Sequence, residues 1–433
     1  MMHQYTELKN ARYMGFSFYP ASNVALAICN VAIEQINHHE KRSRARKVKD
    51  KANFESAVSL IIGDLLIAAT SEGGGWAYRS VSKKSFSGSF LKGDTFNSII
   101  RSLEQLGLIE SVRGGNLKNP FATARASEFR PGMATRFRIT TGFIDLCASC
   151  GLTLSVAQNH FKRRPSLQEV RLKGKSSRFQ GQKTTGRSMR FDETDQTRSI
   201  KHRLYEANAF LLTQDYQGME FFGLRRIFNE GDDPAFDWNL GGRLYGVGDE
   251  SYQMFKKAKR AEIKINGERV VELDINASYL RILHSLRGFE LPKSRDIYLI
   301  RGIDRKIVKA WIAATLGHSG FHRAWPSKLS AELRKSGTPL SQNISYPSLK
   351  PRVLARFPVL NDWPDCGIRW SHLMYEEAEA MMTAMETLRY EGVPALPVHD
   401  SLIVPKSKKR LAHDILKETF ETRFSVPFVV KAS

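Results

Sequence analysis

The 433-residue sequence is short of cysteine, of long apolar runs and of acid, and each shortage excludes something. Four cysteines (Cys29, Cys147, Cys150, Cys366) are too few for a disulfide-stapled scaffold. Cys147-Ala-Ser-Cys150 is a lone CxxC, with neither a second pair nor a histidine spacing to complete a zinc site, so small buried residues are the better reading. No apolar run approaches the roughly 20 residues that a membrane span needs. The N-terminus lacks the charged-then-apolar design of a secretory signal. The expectation is a reduced, cytoplasmic protein with no membrane partner. Internal repeats are also missing, which sets solenoids aside. Acid is outnumbered, with 44 Asp+Glu against 66 Lys+Arg, and the resulting +22 attracts polyanions, a nucleoid setting included.

What is there divides by composition. Residues 1–53 read as a helical basic arm: a helix over 23–40, then "KRSRARKVKDK" at 41–51 with seven basic residues. That run is either a solvated helix face or a phosphate-contacting arm. Over 54–150, "FESAVSLIIGDLLIAA" is amphipathic at helical spacing. In "GDTFNSIIRSLEQLG", Phe96, Ile99, Ile100, Leu103 and Leu106 mark one helical face, with Asp94 or Thr95 as cap and Gly107 as stop. "LIESVRGG" and "TRFRITTGF" follow as two strands around a polar loop. Helices followed by such a wing resemble a winged helix-turn-helix. That resemblance implies DNA contacts from Asn97, Ser98 and Arg101 on the second helix and Arg113 on the wing; the alternative is a helical domain that merely packs on its neighbour. Residues 151–195 read as a weakly structured basic linker, with ten basic residues and one acid between 161 and 190. A helix at about 195–213 opens the remainder, 196–433.

Chemistry concentrates in that remainder. "DWNLGGRLYG" offers a Gly-Gly pair, free to bring backbone close to a ligand, beside Arg243. "VELDINASYLRIL" (271–283) puts Asp274 at the end of an apolar strand just before a helix, a costly place for an acid without a partner. "DRKIVKAWIAATLGHSG" sets Arg305 and Lys309 four apart, on one helical face. "PALPVHDSLIVPK" places His399-Asp400-Ser401 at a turn between two apolar strands. Each stretch alone has a bland reading as a turn acid or a solvated cation. Together, two core acids and a cationic pair in a basic chain indicate phosphoryl transfer, with carboxylates that can hold paired Mg²⁺ ions.

The order and internal spacing of these stretches, over roughly 235–433, resemble the palm of family A DNA polymerases and of the related phage-type single-subunit RNA polymerases. The resemblance implies that Asp274 and Asp400 are the metal ligands and that His399 lies near the primer end. It assigns Arg305 and Lys309 to the incoming triphosphate and Arg243 to the primer–template. It also makes Tyr279, five residues after Asp274, the side chain that meets the sugar's 2′ carbon and favours dNTPs. Further implied are an α+β palm with an antiparallel sheet backed by helices, reduced fingers, a long helix over 371–392 and a closing strand in "SVPFVVK". The implied activity is template-directed and Mg²⁺-dependent, with Mn²⁺ as an alternative, using DNA and dNTPs as partners.

The sequence also departs from the family. Ala313 and Gly317, four and eight residues after Lys309, stand where the family has its base-stacking aromatic, leaving Trp311 as the candidate substitute. Ser401 replaces the carboxylate that, in the DNA polymerases, often follows the aspartate matched by Asp400, as in the RNA polymerase branch. No exonuclease pattern lies upstream, and there is little length for a thumb. A DNA polymerase or primase-polymerase of a plasmid, phage or integrated element, working with other replication proteins, is the expectation. A ribonucleotide-using primase and a catalytically inactive replication initiator remain as alternatives.

Overall fold

The computed structural model describes residues 7–433 except 9, 41, 43, 72–73, 87–90, 116–129, 132, 164–169, 180–181, 249–250, 295, 319, 339, 341–344 and 364. Lys41 of the basic run, the polar wing loop at 116–129 and Arg164 of the expected linker lie outside the described residues.

Two large apolar cores organise the chain, one running from Met14 to Phe161 and one from Val170 to Val430. The first holds β1 (Arg12–Tyr13), α1 (Asn23–Glu40), α2 (Val48–Ala69), β2 (Ala77–Arg79), α3 (Gly93–Gln105), β3 (Ile109–Val112) and β4 (Thr135–Ile139). Its strands lie in the order β1–β2–β4–β3, and β3 and β4 are the antiparallel pair expected from "LIESV" and "TRFRI". Neither Asp94 nor Thr95 caps α3: Lys92 is the cap residue, without a side-chain bond, while Gly107 follows the helix at φ 69° as expected. By length and composition α2 could cross a membrane, yet most of it is buried in this core. Gly63 explains part of the fit, because a Cβ there would stand 2.4 Å from the Phe18 carbonyl oxygen. Next to it the buried Asp64 accepts the Phe16 N–H at 2.7 Å.

The compositional boundaries do not coincide with the edges of these cores. Met14, Phe16 and Phe18 of the expected arm are buried in the first core, and Phe18–Pro20 pairs with Phe161–Arg163, beyond position 150. The expected linker also contributes to a core. Its Val170–Lys173 (β5) is a strand whose alternating pattern buries Val170 and Leu172 and leaves Arg171 and Lys173 half-buried on the other face, which the count of basic residues concealed.

The second core is a mixture of sheets and helices: α4 (Asp195–Leu211), β6 (Leu224–Phe228), β7 (Gly241–Gly246), β8 (Glu268–Ile275), α5 (Ser278–Arg287), α6 (Arg305–Leu316), α7 (Trp370–Tyr390), β9 (Leu396–Val398), β10 (Ser401–Pro405), α8 (Lys409–Phe424) and β11 (Val430–Ala432). β6 pairs with both β5 and β7. β8 is central in a six-stranded sheet, with β10 and then β9 on one side and Lys264–Ile265 and β11 on the other. Helix α7 buries a stripe through Leu373, Glu377, Met381 and Leu388, and Arg203 of α4 clamps it through Glu379 at 2.8 Å and Glu386 at 2.6 Å.

Candidate active site

Strand pairing brings the two predicted acids together. Asp274 lies opposite Ser401 in the β8–β10 register, and the Ile275 N–H donates to the Asp400 carbonyl at 3.0 Å. Asp400 sits in the two-residue link between β9 and β10, whose first residue, His399, has φ 57°. A two-residue hairpin turn of this kind requires a positive φ there, usually supplied by glycine. On the other strand, Ala277 at φ 59° turns the chain from β8 directly into α5. Asp274, near the end of β8, and Asp400, in the hairpin turn, therefore lie side by side and both line a cleft of about 260 Å³.

Asp274, Ser278, Tyr279, Tyr298, Lys309, Glu377, Asp400 and Arg243 all line this cleft. Burial raises the Asp274 carboxyl, while the Ser401 hydroxyl, donating at 3.1 Å, and the Lys309 ammonium oppose that rise. Asp400 is pushed up to about 7, first by burial and then by the charges of Glu377 and Asp274. Both carboxylates are thus disfavoured in their charged form, a cost that a bound cation would offset. Among the described residues no group of three or more acids, histidines or cysteines is close enough to cage a metal. A pair of carboxylates fits Mg²⁺, which keeps waters and takes substrate phosphates as its remaining ligands. The Ser278 hydroxyl points the same way: it is buried without a hydrogen-bond partner in the cleft wall, at the uncapped start of α5.

The other predicted residues divide. Lys309 lines the cleft with the acids, whereas Arg305 does not; it is ion-paired with Asp296 and lies 5.4 Å from the ring of Tyr298, which does line the cleft. Arg243 is inside the cleft but held by the buried Glu377, whose Oε1 accepts from Nε at 3.2 Å and Nη2 at 2.5 Å. Its guanidinium lies 5.6 Å from the Tyr279 ring. His399 is exposed at the hairpin tip, edge-on to Tyr245 at 6.4 Å.

Two expectations are corrected. The Gly-Gly before Arg243 serves protein packing and not a ligand: a Cβ at Gly241 would meet the Asn229 side chain at 2.4 Å. Trp311 cannot stack on a base pair, being fully buried with its indole N–H on the Tyr346 carbonyl and its ring stacked on Tyr346 at 5.0 Å. Of the four residues expected to contact DNA, Asn97 donates to the Val81 carbonyl at 3.1 Å, the Ser98 hydroxyl lies 3.3 Å from Glu40, and Arg101 and Arg113 are exposed. None of these four lines the cleft.

Glu377, Ser278, Tyr298 and Asp296 were missed in the sequence. Glu377 had a signal, an acid on the apolar stripe of α7; the others acquire meaning only through contacts made across the fold.

No family model and no curated protein matches the sequence. Among solved structures, the POL domain of Pol1 from M. smegmatis, solved in complex with DNA primer-template and dNTP, is 17% identical with a TM-score of 0.27. The match covers 44% of this chain and 45% of that one, so less than half of that domain is spanned. A likeness this faint says nothing of the chemistry in the cleft.

Proposed function

We propose that the chain is a metal-dependent nucleotidyltransferase that extends a DNA strand on a DNA template, acting in the replication of a plasmid, phage or integrated element. The observation that carries this reading is the convergence of Asp274 and Asp400, from separate strands, on one cleft that Lys309 also lines. Mg²⁺ or Mn²⁺ held by the two carboxylates would stabilise the attacking and leaving oxygens of the transfer. The protein's own groups do the rest. Ser401 orients Asp274, Lys309 and Arg305 take the triphosphate, and Arg243 and His399 flank the strand end. The first core, with Arg101, Arg113 and the basic run near 42–51, binds duplex phosphates in the manner of a winged helix.

Asp274→Asn or Asp400→Asn should abolish incorporation of labelled nucleotide on a primed template, with DNA affinity nearly unchanged. Full activity in both variants would sink the polymerase reading.

Tyr279 carries the choice of sugar in this proposal. Its ring lines the cleft beside Arg243 and leaves little space for a 2′ hydroxyl in a packed wall. Wild type should prefer dNTPs, and Tyr279→Ala should move the rNTP-to-dNTP incorporation ratio upward while keeping dNTP use. Equal use of both nucleotides by wild type would favour a priming enzyme instead.

A further inference from the structure

Arginine carries its five N–H groups on a rigid fork, one edge ending in Nε and the other formed by the two Nη atoms. The Arg305 fork is half engaged. Asp296 Oδ2 accepts from Nε, and the Tyr298 ring lies 5.4 Å beneath the guanidinium. No Nη atom of Arg305 has a hydrogen-bond partner among the described residues, and the side chain is about one-third exposed.

Asp296 is itself fixed. Its Oδ1 accepts the Tyr298 N–H at 3.1 Å, and its carbonyl accepts the Ser294 hydroxyl at 2.8 Å and the Leu299 N–H at 3.2 Å. Burial would raise this carboxyl, but the bonds from Arg305 and the Tyr298 amide leave it below the ordinary carboxylate value, so it is charged at neutral pH. Tyr298 in turn lines the cleft that contains Asp274, Asp400 and Lys309. A carboxylate and a ring together therefore fix the plane of an arginine while leaving its two Nη atoms without a hydrogen-bond partner among the described residues.

We infer that Asp296 is a positioning residue that aims the Nη edge of Arg305 at the phosphates of an incoming nucleotide. The role rests on the nucleotidyltransferase reading for its biological meaning. The opposite arrangement is an aspartate that occupies the phosphate's place and must be displaced. An acid on Nε leaves free the edge formed by the two Nη atoms, one of the two edges on which a guanidinium can take a phosphate bidentately.

The test uses the full chain with inorganic tripolyphosphate as ligand, measured by calorimetry, and dNTP kinetics on a primed template. Asp296→Ala should weaken tripolyphosphate binding and raise the dNTP KM, each by about tenfold, the order expected when a charge-assisted contact loses its aim. Its kcat should stay within about twofold of wild type. Asp296→Asn retains an oxygen for Nε or for the Tyr298 amide and should recover part of the loss. In an Arg305→Ala background, Asp296→Ala should add nothing. Tighter binding or a lower KM in Asp296→Ala would establish a competitor and overturn the inference. An equal loss with and without Arg305 would overturn it too, as a loop defect. Wild type that binds tripolyphosphate but incorporates no nucleotide would remove the polymerase reading and leave this one standing.

Discussion

Asp400 illustrates what a buried acid costs when no cation accompanies it. Its carboxyl titrates at about 7 in the folded chain and near 3.8 when unfolded, so the native state binds the extra proton between those values. Stability therefore falls as pH rises from about 4 to about 7, and above 7 the full penalty remains. Asp400→Asn removes the charge and should melt a few °C above wild type at pH 8 in chelator, at roughly 2–4 °C per kcal/mol for a unit of this size. The gap should close by pH 5. It should also narrow when millimolar Mg²⁺ is added, because the cation stabilises only the wild-type carboxylate. A variant no more stable than wild type at pH 8 would mean that Asp400 is solvated and not a strained ligand. The position of Asp400 was legible because an acid between two apolar strands stands out. The effect of the Glu377 charge on it was not, since the two positions lie 23 apart on a helix and a hairpin.

Two turns build the site, and they differ in how they meet the same backbone demand. His399 and Ala277 both adopt the left-handed conformation that glycine reaches freely and L residues reach at about 1–2 kcal/mol. At Ala277 the demand comes from ending β8 and starting α5 within two residues, which is what leaves Asp274 at the mouth of the cleft. Ala277→Gly should raise the urea midpoint by an amount worth about 0.5–1 kcal/mol, after the entropy that glycine adds to the unfolded chain. Ala277→Val should lower it by more, because branching worsens the clash. A destabilising glycine would show that the turn is held by packing of the Ala277 methyl. The same elements mark the limit of sequence reading. β8, α5 and the β9–β10 hairpin were expected from local apolar pattern, and α7 from the family resemblance. The strands Arg12–Tyr13 and Phe18–Pro20 were not: they are two and three residues long, and Phe18 pairs with Arg163. Trp311 was misassigned for a related reason, since its burial depends on Tyr346, 35 residues away.

At the scale of the whole molecule, the two cores are joined by a cationic seam. Arg163 donates to the Phe221 carbonyl, Arg12 lies 3.7 Å from Glu220, and both guanidinium groups stand over the Phe222 ring, at 5.4 and 5.9 Å. Deleting the first core would bare Phe222 and confuse lost DNA contacts with lost folding, so the electrostatic claim is better tested on the intact chain. The basic run supplies the handle, because its residues are not equivalent. Arg46 is structural: it bonds Asn37 at 2.6 Å and Glu40 at 2.5 Å and stacks 3.5 Å over Phe54. Arg44, Lys47 and Lys49 are exposed and have no ion pair among the described residues. On B-DNA each phosphate contact contributes about 0.9 to the slope of log K against log salt. The triple substitution Arg44→Ala, Lys47→Ala, Lys49→Ala should therefore flatten that slope by up to roughly 2.7 while the melting temperature holds. Arg46→Ala should do the reverse, lowering the melting temperature with little change in slope. Primer extension at saturating DNA should survive the triple substitution, because the cleft lies in the other core. An unchanged slope would remove the run from the DNA-binding surface and leave the charge of the chain to act through other patches.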